Sequence, residues 1–343
     1  MRAVVLREPG PPEHLGLEQD WPRPTLRPGC AIVRVEAEGV CHRDVVERRG
    51  GFPFMKRPVV PGHEFAGTIV ELADDVDGFA VGQRVVNLHR APCGSCWACT
   101  AGNETRCQRA LEVFGLSVDG GYAEYVLARA GCLVPVPDGL ASAHACFLNC
   151  TAAVALRALR TIGAVQPGET VAITGASGGV GLHAIQIAKA LGARVLAITT
   201  SAGKADVLGD SGADDVVVAD GRDFHKVVKR RTAGVGVPVV LDCVGEPTLN
   251  ASLRSLESGG RLIVVGNVTS ARVEINAGFV ILGELTIRGS AGSNRADLEQ
   301  VLRWTEAGVV RPALAETMPL SAAADAHRRL EAKGVVGRLV LTP

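Results

Sequence analysis

The sequence predicts an α/β protein of two domains, a β-barrel domain joined to a doubly wound parallel sheet, and three observations carry that prediction. The chain has 343 residues, about two domains' worth at roughly 150 residues each. Its first third is cut by Gly and Pro into short β-like runs. From Gly168 onward strands and helices alternate, and a glycine-rich loop follows the first of those strands.

The short runs are Ala3–Leu6, residues 31–37, 66–72, Arg84–Asn87 and 122–126, a spacing that predicts an irregular, largely antiparallel barrel. Residues 170–174 form a strand bounded by glycines, and a helical stretch over 179–191 follows it. Strand and helix then recur at 194–200 and 204–211, 215–219 and 223–231, and 238–244 and 248–256, before strands at 261–266 and 285–289. Continuous aliphatic strands alternating with helices mean a parallel sheet covered on both faces. Helices at 296–307 and 321–332 and a strand at 337–341 break the alternation, so this end is expected to return to the first domain. The expected domains are 1–148 with 290–343, and 149–289.

Hydrophobic residues make up 47% and charged residues 21%, which excludes disorder as the main state. The 36 basic and 36 acidic residues cancel, leaving no electrostatic footprint for a phosphate backbone. A small-molecule substrate is the expected partner, with no nucleic acid and no membrane. The longest central stretch without a charged residue, 170–188, is interrupted by Gly, Ser, Thr, His and Gln, and a spanning helix needs about 20 mostly apolar residues. The start of the chain turns to Arg7 and Glu8 after a short apolar run, which leaves no signal-peptide core, and a cytoplasmic location is expected.

Ten cysteines are present, and Cys93, Cys96, Cys99 and Cys107 cluster. In a chain with no export signal thiols stay reduced, so clustering points to metal rather than disulfides. Four thiolates in one loop suit a closed tetrahedral zinc site that folds the loop and performs no chemistry.

The segment 174–181, Thr-Gly-Ala-Ser-Gly-Gly-Val-Gly, sits between strand and helix, where backbone N–H groups and the helix N-terminus can approach a pyrophosphate. Aligned to G-x-G-x-x-G, the three positions are Ala176, Gly178 and Gly181, with Gly175 just before. Ala176, Ser177, Gly178, Gly179 and Val180 are therefore candidate cofactor contacts. NAD sites place an acidic residue about 20 positions on to hold the ribose 2′-hydroxyl. Here the second strand ends Ile198-Thr-Thr-Ser-Ala-Gly-Lys204, with no carboxylate. The hydroxyls of Thr199, Thr200 and Ser201 with Lys204 suit a 2′-phosphate, so NADP(H) is the expected cofactor. The plainer alternative makes Lys204 a solvated helix-start residue.

A second set is dispersed: Cys41-His-Arg-Asp44, Gly62-His-Glu64 and Cys150. In this order, with the four-cysteine lobe and the glycine-rich loop between and after them, the motifs resemble zinc-containing medium-chain alcohol dehydrogenases over essentially the whole chain. The resemblance implies a GroES-like catalytic domain formed by both chain ends and a Rossmann domain between them. It implies that Cys41, His63 and Cys150 bind a catalytic zinc with the fourth position open, giving two Zn2+ per subunit. Glu64 matches the carboxylate beside the metal, and Asp44 the partner that orients the His63 imidazole. The same resemblance puts His42, Val244, Gly266 and Asn267 at the cofactor. Zinc at an open site acts as a Lewis acid, so hydride transfer between NADP(H) and an alcohol or carbonyl is the leading expectation.

One position departs from the family pattern. Where relatives carry a Ser or Thr that relays the alcohol proton, this chain has Arg43, which is permanently charged and cannot act as a neutral hydroxyl relay. Arg43 is a candidate for binding a carboxylate, thioester phosphates or the cofactor, or for a simple ion pair. The runs 39–44, 55–64, 175–181, 199–201 and 266–268 are similar to archaeal acryloyl-CoA reductases of the same superfamily, which reduce an activated C=C with NADPH. An enoyl reductase is therefore the alternative, and a non-catalytic NADP(H) sensor the third reading. Residues Ala277–Leu282 precede the last strand of the parallel sheet, where family members pair edge to edge, so a homodimer or homotetramer is expected.

Overall fold

A computed structural model of the chain describes residues 1–109, 112–269 and 271–343. Two compact units emerge: Met1–Cys150 with Gly292–Glu306 and Leu314–Pro343, and Thr151–Ala291 with Ala307–Ala313.

The first unit is organised by its longest strand, Cys30–Val40. One edge of this strand pairs antiparallel with Phe65–Leu72. Its other edge is shared, taking Tyr125–Arg129 beside Cys30–Arg34 and the final strand Arg338–Thr342 beside Glu38–Val40. Arg84–Asn87 and Leu133–Pro135 extend the sheet on one side, and Leu314–Pro319 runs parallel to the final strand on the other. The apolar alternation that marks these runs is buried in a core that includes Val4, Leu6, Val40, Val59, Tyr122, Ala326 and Leu339. The last strand thus lies against the residues immediately preceding Cys41, carrying C-terminal side chains into the neighbourhood of the Cys-His-Arg-Asp motif.

The second unit is a six-stranded, all-parallel sheet in the spatial order Asp215–Val218, Arg194–Thr199, Thr170–Ile173, Val237–Asp242, Leu256–Val264, Thr286–Gly289. In chain order this is 3-2-1-4-5-6, so the winding direction reverses between Thr170–Ile173 and Val237–Asp242. The loops beyond the carboxyl ends of those two strands form the crevice where such sheets bind ligands.

Several boundaries differ from the sequence reading. The run expected at 122–126 begins its strand at Tyr125, because Tyr122 and Ala123 are buried in the core and Tyr122 N–H bonds to Pro61 O at 3.0 Å before the ladder starts. Ala307–Ala313, expected in the first domain, belongs to the second unit. Helix Gly179–Ala190 holds it there: Gln186 accepts from Arg311 N–H at 2.7 Å and donates to its carbonyl at 3.1 Å, and His183 Nε2 accepts from Ala313 N–H at 3.2 Å. Ser142–Ile162, unassigned in the sequence, is a helical stretch with π-helical turns at Asn149–Ala153 and Arg157–Ile162. Among the described residues it alone is long and apolar enough to cross a membrane, and 83% of that window is buried inside the protein. Ala277–Leu282 forms a helix leading to the edge strand Thr286–Gly289, with Ile281 71% and Leu282 87% exposed.

Candidate functional site

Strand Cys30–Val40 ends one residue before Cys41, which caps the short helix His42–Arg48. The Asp44 carboxylate turns back and accepts the Cys41 backbone N–H at 2.8 Å. Gly62, at φ 99°, directs the chain into the sheet where a Cβ would meet the Tyr122 ring at 2.5 Å, so His63 and Glu64 enter on a turn that only glycine makes comfortably. Asn87 clamps them, donating to His63 O at 2.9 Å and accepting from Phe65 N–H at 2.8 Å. Cys150 is supplied by the π-helical turn, a local widening that recurs at functional sites.

These elements bring together the donor atoms of Cys41, His63, Glu64 and Cys150, all within 4.8 Å of one another. Cys41 and Cys150 sulfurs are 3.9 Å apart, and Cys150 Sγ is 3.7 Å from His63 Nε2. Two thiolates on a tetrahedral zinc at about 2.3 Å would be about 3.8 Å apart, so the set fits that ion. Asp44 Oδ1 lies 2.9 Å from His63 Nδ1, which fixes the proton there and leaves Nε2 free as a lone-pair donor. The paired sulfurs share a proton: the hydrogen bond from Cys150 pulls Cys41 well below the usual thiol range, and the same contact pushes Cys150 well above it.

The surrounding charge comes partly from residues the sequence did not single out. Arg338, from the final strand, lies 3.1 Å from Glu64 Oε1 and donates to Val40 O at 3.2 Å. Burial still raises Glu64 to about 8 against the pull of Arg338. Glu38 accepts the Glu64 N–H at 2.7 Å, and burial holds its carboxyl well above the usual range. Arg43 Nε bonds the buried Glu47 carboxylate, and Nη2 donates to Phe114 O at 2.8 Å. Of the roles open to Arg43, the structure shows the ion pair. Burial raises Glu47 to about 7 despite this partner. Tyr122 and His327 stand behind Asp44, with Tyr122 Oη 3.3 Å from Asp44 Oδ2 and 3.1 Å from His327 Nε2. Arg338 and His327 carry no local motif and lie more than 170 residues beyond Cys150 and more than 260 beyond His63, so no short-range signal could have found them. His42 is half-buried at the start of its helix, and burial lowers its imidazole.

Cys93, Cys96, Cys99 and Cys107 also converge within 4.8 Å. Sulfur separations of 3.5 Å for Cys96 to Cys99, 3.8 Å for Cys96 to Cys107 and 3.9 Å for Cys93 to Cys99 match a tetrahedral four-thiolate site and are too long for disulfides. Backbone N–H groups of Ser95 and Cys96 pull Cys93 down to about 6, whereas burial and Cys96 push Cys99 up to about 12.

In the second unit the glycine loop closes the first strand. The tight turn falls on Gly175, at φ 59°, while Ala176 is fully buried, which is how the chain tolerates alanine at the first fingerprint position. Gly178 caps helix Gly179–Ala190, and a Cβ there would meet nothing nearer than 3.4 Å. Ser177 and Val180 are half-buried beside it. Across the crevice, Asp242 ends the fourth strand and accepts from Val244 N–H at 2.9 Å and Gly245 N–H at 2.8 Å. At Gly266 a Cβ would lie 2.0 Å from Cys243 O, so the two loops approach as only glycine permits. Asn267 is exposed. The Thr199 hydroxyl accepts Ser201 N–H at 3.2 Å and is buried, so it serves the turn, whereas Thr200 is exposed and Ser201 and Lys204 are half-buried.

Comparison with known proteins matches residues 27–138 to the alcohol dehydrogenase GroES-like domain and residues 179–307 to the zinc-binding dehydrogenase family. Acryloyl-coenzyme A reductase of Sulfurisphaera tokodaii is 38% identical, with 100% of both chains covered. An alcohol dehydrogenase of Geobacillus stearothermophilus is 36% identical over 93% of each chain. Among solved structures, AibC superposes with a TM-score of 0.93 at 43% identity, covering 100% of this chain and 96% of that one. An NAD-dependent alcohol dehydrogenase gives 0.93 at 35% identity with both chains fully covered.

Proposed function

The chain belongs to the zinc-binding alcohol dehydrogenase family, and from that premise we propose that it transfers hydride between NADP(H) and an alcohol or carbonyl substrate at an open zinc site. The observation that carries this reading is the donor set of Cys41, His63 and Cys150 with Glu64 beside it, gathered within 4.8 Å. When bound, zinc supplies Lewis acidity that polarises a carbonyl or lowers the pKa of an alcohol. Asp44 keeps the His63 proton on Nδ1, and the two thiolates balance the dication. Glu64, raised to about 8 by burial and paired with Arg338, adds little net negative charge to the pocket. The four-cysteine loop would hold a second, structural zinc, making two per subunit. In the nucleotide unit, backbone N–H groups from Ala176 to Val180 bind the pyrophosphate, Val244, Gly266 and Asn267 line the opposite loop, and Thr200, Ser201 and Lys204 meet a 2′-phosphate.

A second reading has its own support. Arg43 stands where a hydroxyl would relay the alcohol proton and is committed to Glu47 and Phe114. Reduction of an α,β-unsaturated thioester places hydride on the β-carbon and a solvent proton on the α-carbon, so no alkoxide oxygen has to be protonated from that position, and the relatives named acryloyl-CoA reductase agree with it.

We also infer that a second copy of the chain covers the exposed residues Phe279, Ile281, Leu282 and Ile287. Sedimentation equilibrium reads this directly, and a monomer at micromolar concentration would contradict it. The hydride-transfer reading is tested by His63→Ala, which should abolish turnover and retain NADPH binding within about twofold, since His63 lies in the other unit from the nucleotide loop. Undiminished turnover would overturn the assignment.

A further inference from the structure

Behind the metal donors a buried line of polar groups continues past His63 and Asp44 to two residues that the proposed chemistry does not use, Tyr122 and His327. His63, Asp44, Tyr122 and His327 are each at most 1% exposed and all belong to the first unit. Their separations are 2.9 Å from His63 Nδ1 to Asp44 Oδ1, 3.3 Å from Asp44 Oδ2 to Tyr122 Oη, and 3.1 Å from Tyr122 Oη to His327 Nε2. The line crosses the whole chain, from the helix after the first long strand to the helix Ala323–Glu331.

The donor directions along it are forced. Asp44 as a carboxylate only accepts, and its three donors are His63 Nδ1–H, Cys41 N–H and the Tyr122 hydroxyl. Tyr122 has one proton and spends it on Asp44, so its oxygen must accept from His327 Nε2–H. His327 Nδ1 is then left bare, and it is indeed a buried atom with no hydrogen-bond partner. A buried histidine with one unmet nitrogen costs stability, even with Asp44, Arg48, Glu331 and His42 close enough to act on its charge. Two rings packed edge to face, 6.0 Å apart at 89°, hold the Tyr122 and His327 contact in register.

We propose that Tyr122 and His327 are positioning residues for the open metal site. His327 orients the Tyr122 hydroxyl toward Asp44, and the hydroxyl pins the carboxylate that fixes the His63 tautomer. This rests on the proposed zinc site, and it adds a third layer contributed by the C-terminal helix. Outer partners of metal-bound histidines typically control affinity by about 10–100-fold, and one donor in three to Asp44 should sit near the lower end, at about tenfold.

The test is zinc affinity of the folded full-length protein, measured by competition with a chromophoric chelator that reports both sites, with the four-cysteine site as internal reference. His63→Ala first establishes which zinc belongs to the open site. If the native protein shows no His63-dependent zinc, the site reading itself fails. Given such a zinc, Tyr122→Phe should weaken it about tenfold and leave the four-cysteine zinc unchanged. His327→Leu should act in the same direction, and His327→Gln, whose amide N–H overlays Nε2–H, should restore affinity to within about twofold. Native open-site affinity in both Tyr122→Phe and His327→Leu would overturn the proposal. Equal weakening of both zincs would overturn it too, because the pair would then hold the fold rather than the ligand.

Discussion

Gly178 and Gly181 are three residues apart in one loop, yet alanine at the two positions should fail in opposite ways. A Cβ on Gly181 would lie 2.3 Å from Gly175 O and 2.6 Å from the Cα and O of Ala176. These are backbone atoms of a turn whose Gly175 already sits at φ 59°, so no side-chain rotation relieves the clash. The strand and helix must separate, and overpacking of this kind costs about 1–3 kcal/mol. Gly178 differs: its nearest neighbour to a Cβ is Gly175 O at 3.4 Å, and its φ of −79° and ψ of 171° suit any residue. Alanine there should leave the folded chain unstrained, with the about 0.4–1 kcal/mol gained through the unfolded state offset by alanine's poorer N-capping of the helix. Its methyl group, however, stands where the pyrophosphate must approach the helix N-terminus. Gly178→Ala should therefore weaken NADPH at least tenfold, or about 1.4 kcal/mol, at near-native stability. Denaturant midpoints of the cofactor-free proteins and NADPH fluorescence titrations separate the two effects. A Gly178→Ala protein that binds NADPH as tightly as the native one would remove the loop from the pyrophosphate, and a Gly181→Ala protein of native stability would refute the packing argument.

Two further expectations follow from single side chains. Lys204→Ala should weaken NADPH by about 1–3 kcal/mol through loss of a charge-assisted phosphate contact, with little effect on NADH; equal losses in the two titrations would contradict the 2′-phosphate assignment. Burial pulls His327 from its ordinary 6.5 to about 4. Between those values the unfolded chain binds the extra proton, so stability is full above about pH 6.5 and falls as pH drops toward 4, by about 2 kcal/mol at pH 5. Urea midpoints at pH 7.5 and 5 should show that loss in the native protein and a shallower one in His327→Gln, and identical losses would rule out His327 as the source.

What the sequence made legible was local. The four-cysteine cluster announces itself by short thiol spacings and the glycine loop by its place between an aliphatic strand and a helix, whereas Cys41, His63 and Cys150 are dispersed and stood out only through the family resemblance. The alternation announced a parallel sheet covered by helices, while its 3-2-1-4-5-6 order and the reversal beside the first strand came with the structure. Gly175 rather than Ala176 takes the positive φ, a backbone detail that residue type alone leaves open. The groups that tune the site were hidden for a different reason. Arg338 and His327 reach it only because the final strand pairs with Glu38–Val40 and the preceding helix packs on that core, Tyr122 because its N–H is held by Pro61 O, and Glu38 because it accepts the Glu64 N–H across the sheet. Such non-local pairing leaves no periodicity around any one of them. Arg43 was visible as a departure, but its commitment to Glu47, one helical turn on, became apparent only with the geometry. The segment Ala307–Ala313 was misassigned because its anchors are side chains of His183 and Gln186, inside a helix that reads as ordinary core.

The central claim is hydride transfer at a zinc-dependent centre, and NADPH oxidation with an NADH control tests it most directly. One substrate panel holds aldehydes and ketones, the other enones and enoyl-CoA thioesters, each assayed before and after a chelator removes the open-site zinc. The account predicts NADPH-preferring turnover of carbonyl compounds that disappears with the zinc and returns when it is restored; turnover confined to the unsaturated panel would select the second reading. Carbonyl turnover that survives complete removal of that zinc would contradict the account.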